Sequence, residues 1–293
     1  MVNRLRTRAP FGAAAPAPRP TALLTLLALS LLSACASDRV IERVAGTPPI
    51  DRSQVASVAI DLFQPGEFVA NDGTRMHYRL LPPASPEPGR KYPLVLQLHG
   101  SGGIGEDNQR QLETMAKAWA LPSIRARYPA YVLVPQFPVR SANYDDPAAP
   151  QRSVAAPTVS AALQLVDRIV ADTPAVDRQR IYVTGFSMGG STTWLAAAQR
   201  PELFAAAMPV AGIAPDTASA AALAGLPILV LHGDADTENP MDSDRRMVAR
   251  IVAAGGKRIH LREYVGLAHA PPGDQLPGFW WRDWLFAQRR DAH

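Results

Sequence analysis

Short apolar runs alternate with amphipathic stretches along most of the chain. The apolar runs with the length of strands are residues 92–98, 131–135, 180–184, 205–210 and 226–231. Apolar residues recur at helical spacing in residues 108–120, 157–171, 188–199 and 241–254. Buried parallel strands read as nearly continuous apolar runs, and helical crossovers join them. The pattern therefore predicts an α/β fold with a mostly parallel sheet and helices on both faces.

A different pattern precedes the first of these runs. Residues 68–70 and 75–80 alternate between apolar and polar side chains, and the turn sequence Asn71-Asp72-Gly73 separates them. Such a turn between two alternating segments predicts an antiparallel hairpin at the edge of the sheet.

The first 34 residues have the composition of an export signal. An arginine-bearing start leads to an apolar stretch, residues 21–33, that is too short for a comfortable membrane span. The following sequence, LSAC at 32–35, resembles the bacterial lipobox, and Cys35 is the only cysteine in the chain. We expect Cys35 to be lipidated and to anchor the protein in the cell envelope. Ordinary signal-peptidase cleavage, giving a periplasmic or secreted protein, is the alternative; by resemblance to known lipoproteins, alanine at position 36 favours the outer membrane.

The polar, aperiodic residues that follow predict a lipidated tether over 35–57 and a folded domain over 58–293. The chain has 30 basic and 26 acidic residues, but four of the basic residues and none of the acidic ones lie in the export signal. The processed protein is therefore formally neutral, which argues against a nucleic-acid partner.

The sequence GFSMG at 185–189 places Ser187 between two glycines, directly after a strand-like run and before an alanine-rich helix. A serine on a sharp strand-to-helix turn is held exposed, and the turn leaves no room for side chains at Gly185 and Gly189. The free N–H groups at the start of the helix can stabilise a developing oxyanion. This pattern predicts that Ser187 is a nucleophile.

A serine nucleophile needs a general base, and the base needs an acid to orient it. His269 is the best candidate among the six histidines, because it lies in a loop after the last strand. The loop after residues 226–231 offers Asp234, Asp236 and Glu238 as acids. The order serine, acid, histidine is that of α/β-hydrolases.

A glycine-rich segment, HGSGG at 99–103, lets backbone N–H groups approach a substrate oxygen. Together with the N–H of Met188, this loop predicts an oxyanion hole. The segment lacks the lysine of a phosphate-binding P-loop. No histidine and cysteine cluster has metal-ligand spacing, so we expect neither a metal nor an organic cofactor.

With these residues placed, residues 91–290 resemble bacterial α/β-hydrolases of the carboxylesterase and "predicted peptidase" group, kin to feruloyl esterases, dienelactone hydrolases and polyhydroxybutyrate depolymerases. The resemblance rests on segments such as YPLVLQLHG at 92–100, IYVTGFSMGG at 181–190 and PELFAA at 201–206. It implies the α/β-hydrolase fold, Asp236 as the acid, His269 as the base, and Ser101 as the second oxyanion donor. Two departures are Asn239, where the group has valine, and the sequence APP after His269.

The expected function is that of an exported serine hydrolase that cleaves small-molecule or polymeric carboxylic esters. One alternative is a serine peptidase of the same fold, but no segment remains to build a gating domain. The other is a binding lipoprotein without activity, yet all three triad residues are present.

Overall fold

A computed structural model describes residues 2, 40–145 and 151–290. The strands in this part of the chain are β1 (Ile41–Ala45), β2 (Gln64–Val69), β3 (Arg75–Leu81), β4 (Tyr92–Leu98), β5 (Tyr131–Gln136), β6 (Ala142–Tyr144), β7 (Ser153–Ala155), β8 (Val176–Phe186), β9 (Ala206–Val210), β10 (Ile228–Gly233) and β11 (Ile259–Val265). The helices are α1 (Thr114–Ala118), α2 (Pro122–Arg127), α3 (Pro157–Asp172), α4 (Met188–Gln199), α5 (Ala220–Leu223), α6 (Asp242–Ala253) and α7 (Phe279–Ala287).

The main sheet has nine strands in the order β1-β11-β10-β9-β8-β4-β5-β3-β2. All neighbours from β1 to β5 in this order pair in parallel. Strand β3 runs antiparallel to both β5 and β2, and β2 and β3 form the predicted hairpin at the edge. The α/β-hydrolase fold with a mostly parallel sheet is therefore confirmed.

Helices cover both faces of this sheet, because its central strands are apolar on both sides. In β4, Leu94, Leu96 and Leu98 pack in one buried cluster with side chains of α3, α4 and α6. Val95 points to the opposite face and packs in a second cluster with side chains of α1, α2 and α7. The residues between Tyr92 and Leu98 are all buried, which explains the uninterrupted apolar run.

The boundary predicted at residue 58 is wrong, because the fold begins near residue 40. Strand β1 pairs in parallel with β11 at one edge of the sheet. Farther along, the Ile50 N–H donates to the carbonyl of Pro271 at 2.9 Å, and Val55 is buried in the core. An edge strand that is mostly exposed lacks the apolar run of a central strand, so the sequence IERVA at 41–45 was not recognised.

The predicted signal, residues 1–34, and Cys35 lie outside the described residues. No helix in the described residues is long and apolar enough to cross a bilayer.

One predicted helix, residues 108–120, begins only at Thr114. The Asp107 carboxylate accepts N–H bonds from Gln109 and Arg110 at 2.9 and 3.0 Å, and this turn competes with the helix. Asn108 also has a positive φ of 53°. The shorter α1 leaves a loop that approaches the carboxyl ends of the central strands.

Candidate active site

Ser187 stands on a sharp turn between β8 and α4. Its backbone has φ 59° and ψ −120°, and its N–H donates to the carbonyl of Val210 at 2.9 Å. A Cβ at Gly185 would lie 2.6 Å from the backbone oxygen of Gly189, and one at Gly189 would lie 2.5 Å from that of Leu98. Glycine is therefore required on both sides of the serine. The strained φ of Ser187 is of the kind found at functional sites.

His269 lies beside this serine on the loop after β11. Its Nε2 is 2.8 Å from the Ser187 Oγ, and its Nδ1 is 2.7 Å from the Asp236 Oδ2. An ionised carboxylate only accepts hydrogen bonds, so Nδ1 carries the proton and Nε2 is free to accept the serine proton. The structure thus joins the three residues in one hydrogen-bonded chain.

Asp236 is held as a carboxylate from several directions. Its Oδ1 accepts the backbone N–H groups of Glu238 and Asn239 at 2.9 and 2.8 Å. Burial alone would raise the pKa of Asp236, but hydrogen bonds from His232, His269 and the Asn239 backbone hold it well below its usual value. The acid that orients His269 is therefore ionised over the neutral pH range.

The two other acids of this loop have different surroundings. The Asp234 carboxylate accepts from the Arg43 guanidinium at 3.0 Å and from the Gly266 N–H at 2.7 Å. Glu238 is exposed, and its Oε2 lies 3.9 Å from the Nε2 of His269, on the serine side of the ring. Neither group contacts the Nδ1 side, which Asp236 occupies.

The glycine-rich loop after β4 forms one wall beside Ser187. A tight turn spans Ser101–Gly103, closed by a bond from the Gly103 N–H to the Gly100 carbonyl. The Gly100 N–H donates to the Glu113 Oε2 at 2.9 Å. Within residues 40–145 and 151–290, the Ser101 N–H has no acceptor, and Met188 is the first residue of α4. Ser101 lines the same cavity as Ser187, and Met188 follows the serine directly, so both predicted donors belong to segments that border the nucleophile.

The buried ring of His99 holds this loop in place through hydrogen bonds to the backbone. Its Nδ1–H donates to the Gly100 carbonyl at 2.6 Å, and its Nε2 accepts the Phe137 N–H at 3.0 Å. A Cβ at Gly103 would lie 2.5 Å from the same ring. Because one ring nitrogen donates and the other accepts from a backbone amide, this imidazole is neutral. Burial lowers the pKa of His99 to about 4 in spite of the bond to the Gly100 carbonyl.

Ser187 and His269 open into a cavity of about 390 Å³. Ile50 and Arg52 line it from the segment that was predicted to be a tether, and Glu113 lines it from the loop before α1. None of these three was recognised in the sequence. They lie far from the motif residues along the chain, and only the fold of the N-terminal segment brings them to the site.

The residues described by the structure contain no group of three or more histidine, cysteine, aspartate or glutamate side chains arranged to hold a metal ion. That the protein needs no cofactor stays a prediction.

The model of the Dienelactone hydrolase family matches residues 85–275, which include the serine, the acid and the loop histidine. The chain belongs to this family. The match covers most of the sheet and begins before the first apolar run. Membership in the dienelactone hydrolase family agrees with the resemblance that the sequence motifs indicated.

The chain is also similar to individual proteins named as esterases and peptidases. The chain is 28% identical over 233 residues to the "Putative esterase NocK" of Nocardia uniformis subsp. tsuyamanensis, which covers 74% of this chain and 64% of that protein. The crystal structure of a thermostable esterase is 34% identical with a TM-score of 0.69 over 79% of this chain and 64% of the other. A Pyrococcus horikoshii acylaminoacyl peptidase, at 16% identity and a TM-score of 0.57 over 79% and 43% of the chains, shares the fold. The chain spans 64% of the length of each of the first two proteins.

Proposed function

We propose that the protein is a serine hydrolase that cleaves carboxylic esters through an acyl-enzyme intermediate. The observation that carries this proposal is the unbroken chain of hydrogen bonds from Ser187 through His269 to Asp236. The esterase names of the relatives support the choice of esters. The cavity of about 390 Å³ suits a small ester or the end group of a polymeric one.

In the first step, the Ser187 Oγ attacks the ester carbonyl carbon while His269 Nε2 takes the serine proton. The carbonyl oxygen becomes an oxyanion, and the N–H groups of Met188 and Ser101 stabilise it. The imidazolium then protonates the leaving alkoxide as the carbon–oxygen bond breaks. In the second step, His269 takes a proton from water, the hydroxide attacks the acyl carbon, and the proton returns to the Ser187 oxygen.

The test compares Ser187→Ala with Ser123→Ala, which removes an exposed hydroxyl on α2. We expect the wild type and Ser123→Ala to hydrolyse p-nitrophenyl esters and to react with a fluorophosphonate probe. We expect Ser187→Ala to do neither. Activity or labelling that persists in Ser187→Ala contradicts the proposal.

A panel of p-nitrophenyl esters of increasing acyl length, measured beside peptide anilides, separates the candidate functions. Faster cleavage of esters at every length supports the proposal, whereas a preference for anilides indicates a peptidase. If the folded wild type neither cleaves these compounds nor reacts with the probe, the binding role stands instead.

We also propose that the enzyme is exported and anchored in the bacterial cell envelope through a lipid on Cys35. The lipobox-like sequence at 32–35 and the single cysteine support this. In bacteria fed radioactive palmitate, we expect label on the wild type in the membrane fraction and none on Cys35→Ser. An unlabelled wild type in the soluble periplasmic fraction indicates ordinary signal-peptidase cleavage and contradicts the anchor.

A further inference from the structure

His232, at the end of β10, is a buried histidine that lies behind the acid of the site. Its side chain is fully enclosed, and both ring nitrogens contact acceptors. Nε2 is 2.8 Å from the backbone oxygen of Asn239 and 3.3 Å from the Asp236 Oδ2. A carbonyl oxygen has no proton to give, so Nε2 carries a proton.

The other nitrogen of this ring faces a second buried carboxylate. The His232 Nδ1 is 2.7 Å from the Oδ2 of Asp244 on α6. The remaining oxygen, Oδ1, accepts the indole N–H of Trp194 at 2.8 Å. An ionised Asp244 satisfies both contacts as an acceptor when Nδ1 also carries a proton. Both nitrogens of His232 are then protonated, and the ring is an imidazolium between two carboxylates.

The other charged groups packed around this ring are already paired. Glu263 is in register with His232 on the neighbouring strand β11. It accepts from Arg245 at 2.8 Å and lies 3.5 Å from Arg43. The charge of Glu263 is thereby compensated, so Asp236 and Asp244 determine the state of His232.

We propose that His232 is a positioning residue whose constant positive charge, fixed by Asp244, holds Asp236 ionised and oriented, so that the chain Ser187–His269–Asp236 continues to a fourth and a fifth member. A positive charge 3.3 Å from the carboxylate oxygen that His269 contacts stabilises the carboxylate. It also offsets part of the negative charge that Asp236 presents to His269.

The balance of forces on the ring agrees with this. Burial alone would lower the pKa of His232, but its hydrogen bonds and ion pairs with Asp236 and Asp244 outweigh burial and raise the pKa to about 9. The ring thus keeps its charge through the neutral range.

The charge is measured directly by NMR on protein with ¹⁵N-labelled histidine, with His232→Gln used to assign the signal. We expect two protonated nitrogens on His232 between pH 6 and 8, and loss of a proton only near pH 9. His99 is the internal reference and should show one protonated and one bare nitrogen over the same range. A neutral His232 at pH 7 overturns the proposal.

Asp244→Asn tests the source of the charge and keeps the ring in place. Without the carboxylate, the pKa of His232 should fall by about one unit or more in the same NMR titration. An unchanged titration of His232 contradicts the role given to Asp244. This variant decides the matter if His232→Gln does not fold.

The kinetic arm rests on the proposed ester hydrolysis. Replacing His232 by glutamine removes the positive charge 3.3 Å from the Asp236 carboxylate but keeps a hydrogen-bond donor. The acid limb of the pH profile of kcat/KM should move to higher pH by about one unit. A purely structural role would lower activity equally at all pH values, and that result, or an unmoved acid limb, overturns the proposal. If the wild type cleaves no ester, the proposed function fails, whereas the NMR result still reports on His232.

Discussion

The same dipeptide, His-Gly, stands at the ends of two strands of the sheet, and the two histidines differ in charge: one is neutral and the other positive. His99 follows β4 beneath the glycine-rich loop, and His232 lies at the end of β10 behind the acid. Both rings are buried, with exposures of 2% and 1%. In the described residues, the hydrogen bonds of the His99 ring join it to two backbone groups, whereas the His232 ring contacts two carboxylates. Burial lowers the pKa of His99, but paired carboxylates reverse that effect at His232.

The charge of each histidine suits the loop that it contacts. The loop after β4 presents N–H groups to a forming oxyanion, and a neutral support leaves their polarity undisturbed. The loop after β10 holds a carboxylate that must stay ionised next to His269, and a positive charge behind it favours that state. The same His-Gly dipeptide therefore carries a neutral ring at one strand and a charged ring at another. The side chains that the fold packs against each ring determine its charge.

The largest loss of activity should come from removing the charge of Asp236, which lies between His232 and His269. Asp236→Asn should lower kcat roughly 1,000- to 10,000-fold at neutral pH, because an amide beside Nδ1 no longer fixes the tautomer of His269 or stabilises its imidazolium. Initial rates with a p-nitrophenyl ester measure this. Asp234→Asn changes a carboxylate two positions away and should cost less than about tenfold, because Asp234 pairs with Arg43. Equal losses in the two variants contradict the assignment of Asp236.

These two aspartates also show what the sequence could and could not predict. The motif around Ser187 and the loop position of His269 were enough to bring those residues to the site. Spacing alone did not distinguish Asp234 from Asp236, since both follow the same strand; the family resemblance favoured Asp236, which is the one that contacts His269. The two aspartates differ because Asp234 pairs with Arg43, which lies on the edge strand β1.

The central strands were predictable because burial on both faces gives continuous apolar runs. The first strand was missed because an exposed edge strand carries no such run. Because this segment was predicted to be a tether, Ile50 and Arg52 were not recognised as cavity residues. The charge on His232 could not be predicted either, because it depends on Asp244, which approaches from the next helix only in the folded chain.

Substitutions at the glycine-rich loop beside the neutral His99 should lower activity less. Glu113→Ala removes the acceptor of the Gly100 N–H and frees the loop that carries the Ser101 N–H, so kcat/KM should fall about 10- to 100-fold. Glu113→Gln keeps an acceptor oxygen and should recover most of that loss. If both variants match the wild type, the loop does not depend on this contact.

Glu113→Gln should also change the pH dependence of stability. Burial raises the pKa of Glu113, although the Gly100 N–H and Arg52 oppose the shift. The folded state therefore holds the glutamate proton more tightly than the unfolded chain, and this contribution is lost as pH rises through the folded pKa. Relative to the wild type, Glu113→Gln should be more stable at pH 7 than at pH 4, as urea unfolding at the two values would show.

The smallest expected effect is on the pH dependence of the free energy of unfolding, to which His99 and His232 contribute in different pH ranges. The pKa of His99 is lowered to about 4, so the unfolded chain binds a proton that the folded state excludes between pH 4 and 6.5. The pKa of His232 is raised to about 9, so the folded state holds a proton that the unfolded chain loses between pH 6.5 and 9. Stability due to His99 is lost as pH falls, and stability due to His232 is lost as pH rises.

Each histidine can therefore change the slope of the free energy of unfolding by at most about 1.4 kcal/mol per pH unit, in its own range. His99→Gln should flatten the acid side of the profile, and His232→Gln should flatten the alkaline side, in urea titrations at half-unit steps from pH 4 to 9. Because both variants remove a buried ring of the same size, each controls for the loss of packing in the other. If His232→Gln leaves the slope of the alkaline side unchanged, its ring is neutral, and the contrast between the two His-Gly pairs disappears.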